Sequence, residues 1–196
     1  SQVEINSGIQ FYDGITTAEI QEILIKSASD LIELESPNYQ FVAARLLLFG
    51  VRKKLWGRIH EAPSLGNHIT KCIREGVYDP HFTSKYTDQE IDELDSYIDH
   101  DRDYLFTYAG LRQVTDKYLV QDRSTGDLYE TPQFMYIMIA ATMFSEYPQE
   151  TRLDYVKRYY DAISRHRINI PTPVMGGVRT PIRQFASCVL VDIDDT

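Results

Sequence analysis

From about residue 16 to residue 166 the apolar positions of this chain recur three or four apart, the spacing of helices. Thr16-Thr-Ala-Glu19 forms a capping-box pattern, in which the Thr16 hydroxyl accepts from the Glu19 N–H and the carboxylate reaches back. Ile20, Ile23, Leu24, Ala28, Leu31 and Ile32 continue the helix until Pro37 ends it. Tyr39–Trp56 is apolar on nearly every face, which predicts a helix buried within a domain. Arg52, Lys53 and Lys54 at its end complement the negative pole of the helix dipole. Ser64 is the expected cap of a helix ending near Gly76, and Thr87-Asp-Gln-Glu90 is a second capping box, with Ile91, Leu94 and Ile98 behind it. A further helix is predicted over about Tyr104–Val114. Tyr118–Gln121 and Leu128–Glu130 flank Ser124-Thr-Gly-Asp127 and predict a β-hairpin. Thr131-Pro132 sets a cap and then proline at the first helical position, opening a largely apolar helix over Phe134–Phe144. Gln149–His166 is amphipathic, with Leu153, Val156, Tyr159, Tyr160 and Ile163 on one side.

Beyond residue 166 the pattern changes. Ile168–Thr172 reads as extended, Gly176-Gly177 as a turn, and Phe185–Ile193 as a continuous apolar strand covered on both faces. The expected fold is therefore mainly α, with one core strand at the end. A lone strand cannot satisfy its own backbone, so this reading requires further polypeptide or a partner chain.

The length of 196 residues allows one domain or two small ones and a sizeable core. A net charge of −9 argues against nucleic-acid binding. No run approaches the roughly 20 apolar residues of a membrane span. Cys72 and Cys188 are far apart and form no CxxC pair, which excludes a disulfide scaffold and fits a reducing cytoplasm. Cys72, at helical spacing from Ile69 and Ile73, reads as core.

The candidate chemistry concentrates in Pro171–Leu190, PTPVMGGVRTPIRQFASCVL. Cys188 fits two readings, a small apolar core residue or a catalytic thiol. Ser187 beside it, and Thr172, Arg179, Thr180 and Arg183 upstream, offer hydroxyls and cations for an anionic substrate. His100-Asp101, with Asp99 and Asp103 nearby, raises metal-dependent hydrolysis, but the other histidines lack ligand-like spacing, and acids at a helix start explain the run more simply. No metal site is expected.

Several stretches taken together carry a family resemblance. They are Phe11-Tyr-Asp-Gly14, Tyr39–Lys54, Ile98-Asp-His-Asp-Arg-Asp103, Lys117-Tyr-Leu-Val-Gln121, Gly126-Asp-Leu-Tyr-Glu130, Pro132-Gln-Phe134, Glu150-Thr-Arg-Leu153 and Pro171–Leu190. In this order the chain resembles the N-terminal portion of the large (alpha) subunit of class I ribonucleoside-diphosphate reductases, of the enterobacterial and T4-like phage type. The resemblance implies a partial ATP cone over 1–56, a helical N-terminal domain over 57–183, and over 184–196 the first strand of the family's ten-stranded α/β barrel. It implies that Cys188 is one thiol of a redox pair whose partner lies outside this chain, and that Thr172, Ser187 and Cys188 contact a nucleoside diphosphate. Thr17 and Lys53 match nucleotide contacts of the ATP/dATP activity site. Asp195, followed by Thr196, matches the specificity site for dNTP effectors. The family's leading Lys-Arg-Asp-Gly strand, rich in phosphate contacts, is absent from these residues.

The implied partners are a dimetal small (beta) subunit that supplies the radical, a second large subunit, thioredoxin or glutaredoxin, and the rest of the large subunit. The radical-bearing cysteine and the second redox cysteine fall outside these residues, so the chain alone is not expected to turn over. The alternative is a non-catalytic helical module that docks on a partner by strand addition.

Overall fold

In the computed structural model the described residues are 1–191. In chain order the helices are α1 (Gln2–Gly8), α2 (Thr17–Ser29), α3 (Tyr39–Trp56), α4 (Leu65–Arg74), α5 (Asp88–Ser96), α6 (Tyr108–Lys117), α7 (Pro132–Met143), α8 (Gln149–Ser164) and α9 (Thr172–Gly177), with 3₁₀ turns at Pro80–Ser84 and His100–Leu105. The chain divides into two units, residues 1–64 with 98–133 and residues 65–97 with 134 onward.

In the first unit α2 starts where the capping box placed it. Thr16 Oγ1 accepts from the Glu19 N–H at 3.2 Å, and Glu19 Oε2 accepts from the Thr16 N–H at 2.8 Å. Helix α3 ends at Gly57, whose φ of +71° suits glycine and lets its N–H reach the Lys53 carbonyl at 2.9 Å. Helices α2 and α3 pack closely. Ala28 and Ala43 are fully buried at their contact, and a Cβ at Gly50 would stand 3.3 Å from Gln21 Cγ. Gln21 Nε2 then reaches the Leu46 carbonyl at 2.6 Å.

Helix α3 is less enclosed than its composition predicts. It buries Ala43, Ala44, Leu47, Leu48, Val51 and Arg52, while Val42 is exposed and Phe41 and Phe49 are partly so. Arg52 does not serve the helix end as a solvated cation. It is buried, and its Nη2 donates to Asp103 Oδ2 at 3.1 Å and to the His100 carbonyl at 2.5 Å. Gln133 Nε2 donates to the other Asp103 oxygen at 2.9 Å, and the guanidinium lies over the Trp56 and Tyr104 rings.

The predicted hairpin is not confirmed. Its two segments meet in a single antiparallel bridge, Gln121 to Leu128. Two backbone bonds flank that bridge, Tyr129 N–H to the Val120 carbonyl and Asp122 N–H to the Asp127 carbonyl, each at 2.9 Å, and the pairing stops there because Glu130 Oε1 takes the Val120 N–H at 2.7 Å. Thr131 does not cap α7, since its Oγ1 is buried without a hydrogen-bond partner among the described residues.

In the second unit α7 is apolar all round and buried from Phe134 to Ala141. Helix α8 buries Arg152, Val156, Tyr160 and Ile163. Arg152 grips Glu90 of α5 through Nε at 2.8 Å and Nη2 at 2.6 Å, above the Tyr86 ring. Burial would raise the Glu90 carboxyl, but the Arg152 and Thr87 hydrogen bonds outweigh it and hold the group below its usual range. Cys72 is core, as its spacing predicts, and touches His68, which stacks on Phe134 and bonds Tyr78.

Two expectations for the tail are corrected. Thr172 opens a short helix instead of ending an extended run, because Pro171 and Pro173 supply φ values that suit a helix start, and Gly176 and Gly177 finish that helix with no left-handed turn. The described part of the predicted barrel strand, Phe185–Val191, forms no strand and is exposed, with Leu190 fully so. It has no ladder partner among the described residues, as the backbone argument requires of a lone strand. Residues 192–193 of that run lie outside the described residues.

Candidate functional site

The predicted residues fall in two places. The first is a cavity of about 810 Å³ in the first unit. Thr17 enters it from the first turn of α2, and Lys53 and Lys54 from the last turn of α3. Thr17 and Lys53, far apart in sequence, thus line one space. Both lysines are exposed and make no ion pair among the described residues. Glu19 also lines the cavity, but its carboxylate is committed: the Thr16 hydroxyl and N–H and the Tyr12 hydroxyl hold it below the usual carboxylate range. The Tyr12 phenol is raised in turn, chiefly by that bond to Glu19. The wall facing these residues comes from α6 and the turn after it, through Arg112, Asp116 and Leu128. Sequence reading missed this wall. The (i, i+4) spacing of Arg112 and Asp116 marks a surface pair on a helix, but nothing local shows which face α3 meets.

The second place is the segment after α9. Thr172 stands exposed at the head of that helix. Pro181 turns the chain, and Ile182 and Phe185 lie against Gly177, where a Cβ would stand 3.8 and 3.7 Å from them. Ser187 and Cys188 follow, both exposed, with Ser187 Oγ 3.8 Å from the thiol. The structure therefore groups Ser187 with Cys188 and keeps Thr172 on a separate element.

The basic residues nearby do not form an open anion cradle. Arg179 is buried and donates to the Met175 carbonyl at 2.7 Å, while its own carbonyl accepts from the Asp79 N–H at 3.0 Å. The Thr180 hydroxyl donates to the Gly177 carbonyl. Arg183 pairs with Asp79. Burial would raise the Asp79 carboxyl, but the His81 N–H and Arg183 hold it below its usual range. Asp195 and Thr196 lie outside the described residues.

The His100-Asp101 run serves packing. Asp99 caps the 3₁₀ turn by accepting from the Asp101 N–H, and His100 sits edge-on to Trp56. Burial, aided by the Arg52 charge, lowers His100 to about 4. Burial pushes the Asp103 carboxyl up to about 6, against the bonds from Gln133 and Arg52. Among the described residues no group of three or more His, Cys, Asp or Glu side chains is gathered as for a metal ion. No helix among them is long and apolar enough to cross a membrane.

Residues 104–183 match the family described as "Ribonucleotide reductase, all-alpha domain". All 196 residues align at 54% identity with the Escherichia coli K12 protein named ribonucleoside-diphosphate reductase 1 subunit alpha, covering 26% of that protein. The alpha subunit of enterobacteria phage T4 is 46% identical over 98% of this chain and 26% of its own length. That of Helicobacter pylori is 31% identical over the whole chain and 24% of its length. The chain thus spans about a quarter of the length of the curated relatives it matches. These matches give no support to the reading as a non-catalytic docking module. Aligned from end to end with these proteins, the sequence is similar to the N-terminal quarter of ribonucleoside-diphosphate reductase alpha subunits.

Proposed function

We propose that this chain works as the N-terminal region of a class I ribonucleoside-diphosphate reductase large subunit, in a protein that reduces ribonucleoside to deoxyribonucleoside diphosphates for DNA synthesis. The observation that carries the reading is the 54% identity over all 196 residues. Residues 1–56 act as the partial ATP cone, 57–183 as the helical domain, and 184–196 as the lead into the catalytic barrel.

In this reading Cys188 is one thiol of a redox pair. Removal of the substrate 2′-hydroxyl as water and delivery of hydrogen to C2′ consume two electrons. Two thiols supply them and become a disulfide, and exchange with thioredoxin or glutaredoxin restores both. Thr172 and Ser187 hold the nucleoside diphosphate through their hydroxyls. The radical that starts the reaction comes from a dimetal small subunit.

The cavity on Thr17 and Lys53 takes ATP or dATP, and Asp195 and Thr196 serve the dNTP specificity site of a homodimer. The protein works in the cytoplasm. In the subunit carrying this chain, Cys188→Ser is expected to lower thioredoxin-dependent turnover roughly a thousandfold or more. Normal turnover of that variant would refute the redox assignment.

A further inference from the structure

The effector cavity is closed by a helix that lies outside the predicted cone. Arg112 of α6 lines it together with Lys53 and Lys54. An arginine presents a planar fork of donors that matches phosphate oxygens. Its present tie is weak: Arg112 Nη2 meets Asp116 Oδ2 at 3.4 Å, and the two side chains are 45% and 52% exposed. Exposed pairs of this kind contribute little, so a polyanion can displace the carboxylate readily.

From these contacts we infer that Arg112 is a third cationic contact for a polyphosphate in this cavity, and that it makes α6 the element that senses occupancy. The inference rests on the effector role proposed for Thr17 and Lys53. Its physical basis is a continuous set of contacts. The second Asp116 oxygen accepts from the Thr115 hydroxyl at 3.2 Å. The Thr115 and Asp116 carbonyls accept from Gln121 Nε2 at 3.2 and 3.3 Å, and those of Asp116 and Lys117 accept from Arg123 at 3.4 Å each. The last turn of α6 is thus fastened to the turn 122–128, whose Gly126 and Leu128 return to the cavity wall. When phosphate takes Arg112, Asp116 loses its cation, and the change falls on the end of α6 and the turn bound to it.

Calorimetric titration of the subunit carrying this chain, with ATP and separately with inorganic triphosphate, tests this. Arg112→Ala should weaken both ligands about tenfold and leave the thermal midpoint unchanged. Asp116→Asn, which removes the competing carboxylate, should tighten both roughly two- to threefold. Lys53→Ala separates this inference from the reading beneath it. If Lys53→Ala weakens binding while Arg112→Ala binds like the parent, the α6 contact is wrong and the effector site stands. If neither change alters affinity, both fail. Parent affinity in Asp116→Asn would contradict the exchange at Arg112.

Discussion

The lysines of the cavity and the thiol of the tail are held in opposite ways. Lys53 follows Arg52, which is buried at 2% exposure and tied to Asp103, His100 and two aromatic rings. The last turn of α3 is therefore fixed before any ligand arrives. Cys188 sits on a segment whose nearest charged anchor is the pair Arg183–Asp79, with 57% and 18% exposure. A site for a reversible effector gains from being prearranged, because ordering costs are met on folding. The Cys188 segment has no comparable fixing among the described residues.

The difference can be broken at either end. The largest effect is expected at Arg52. Arg52→Ala leaves the Asp103 carboxylate buried without its cation, and should cost about 3–5 kcal/mol in urea denaturation. A loss under about 1 kcal/mol would mean that the knot does not fix α3. A much smaller effect is expected at Arg183. Because that pair is largely solvated, Arg183→Ala should cost no more than about 1 kcal/mol, while amide exchange speeds up across 181–191. Unchanged exchange there would show that the contacts of Ile182 and Phe185 with Gly177 hold the segment by themselves.

Much of the fold was legible because its signals are local. The boxes Thr16/Glu19 and Thr87/Glu90 start α2 and α5 where the spacing predicts, and the apolar run of α7 is buried as its pattern requires. The failures are non-local. Arg52 and Lys53 are neighbours at a helix end with the same charge, yet one is core and the other lines a cavity. What separates them is Asp103, 51 residues away. The hairpin is reduced to one bridge because the Glu130 carboxylate takes the Val120 N–H, which residue preferences alone do not reveal. At the site, the resemblance named Thr17 and Lys53, but the α6 wall depends on how α3 packs and left no mark in the spacing. The tail shows the reverse case. Its apolar run has strand character, and its partners are not among the described residues.

The central claim is that Cys188 is consumed as a reductant in the reaction. The direct measurement is a single turnover of the subunit carrying this chain, with small subunit and substrate but no external reductant, followed by acid quench, alkylation and peptide mass spectrometry. The account predicts that Cys188 escapes alkylation and is recovered in a disulfide with a cysteine outside these 196 residues, in proportion to product formed. Recovery of Cys188 fully alkylated, alongside stoichiometric deoxynucleotide, would contradict it.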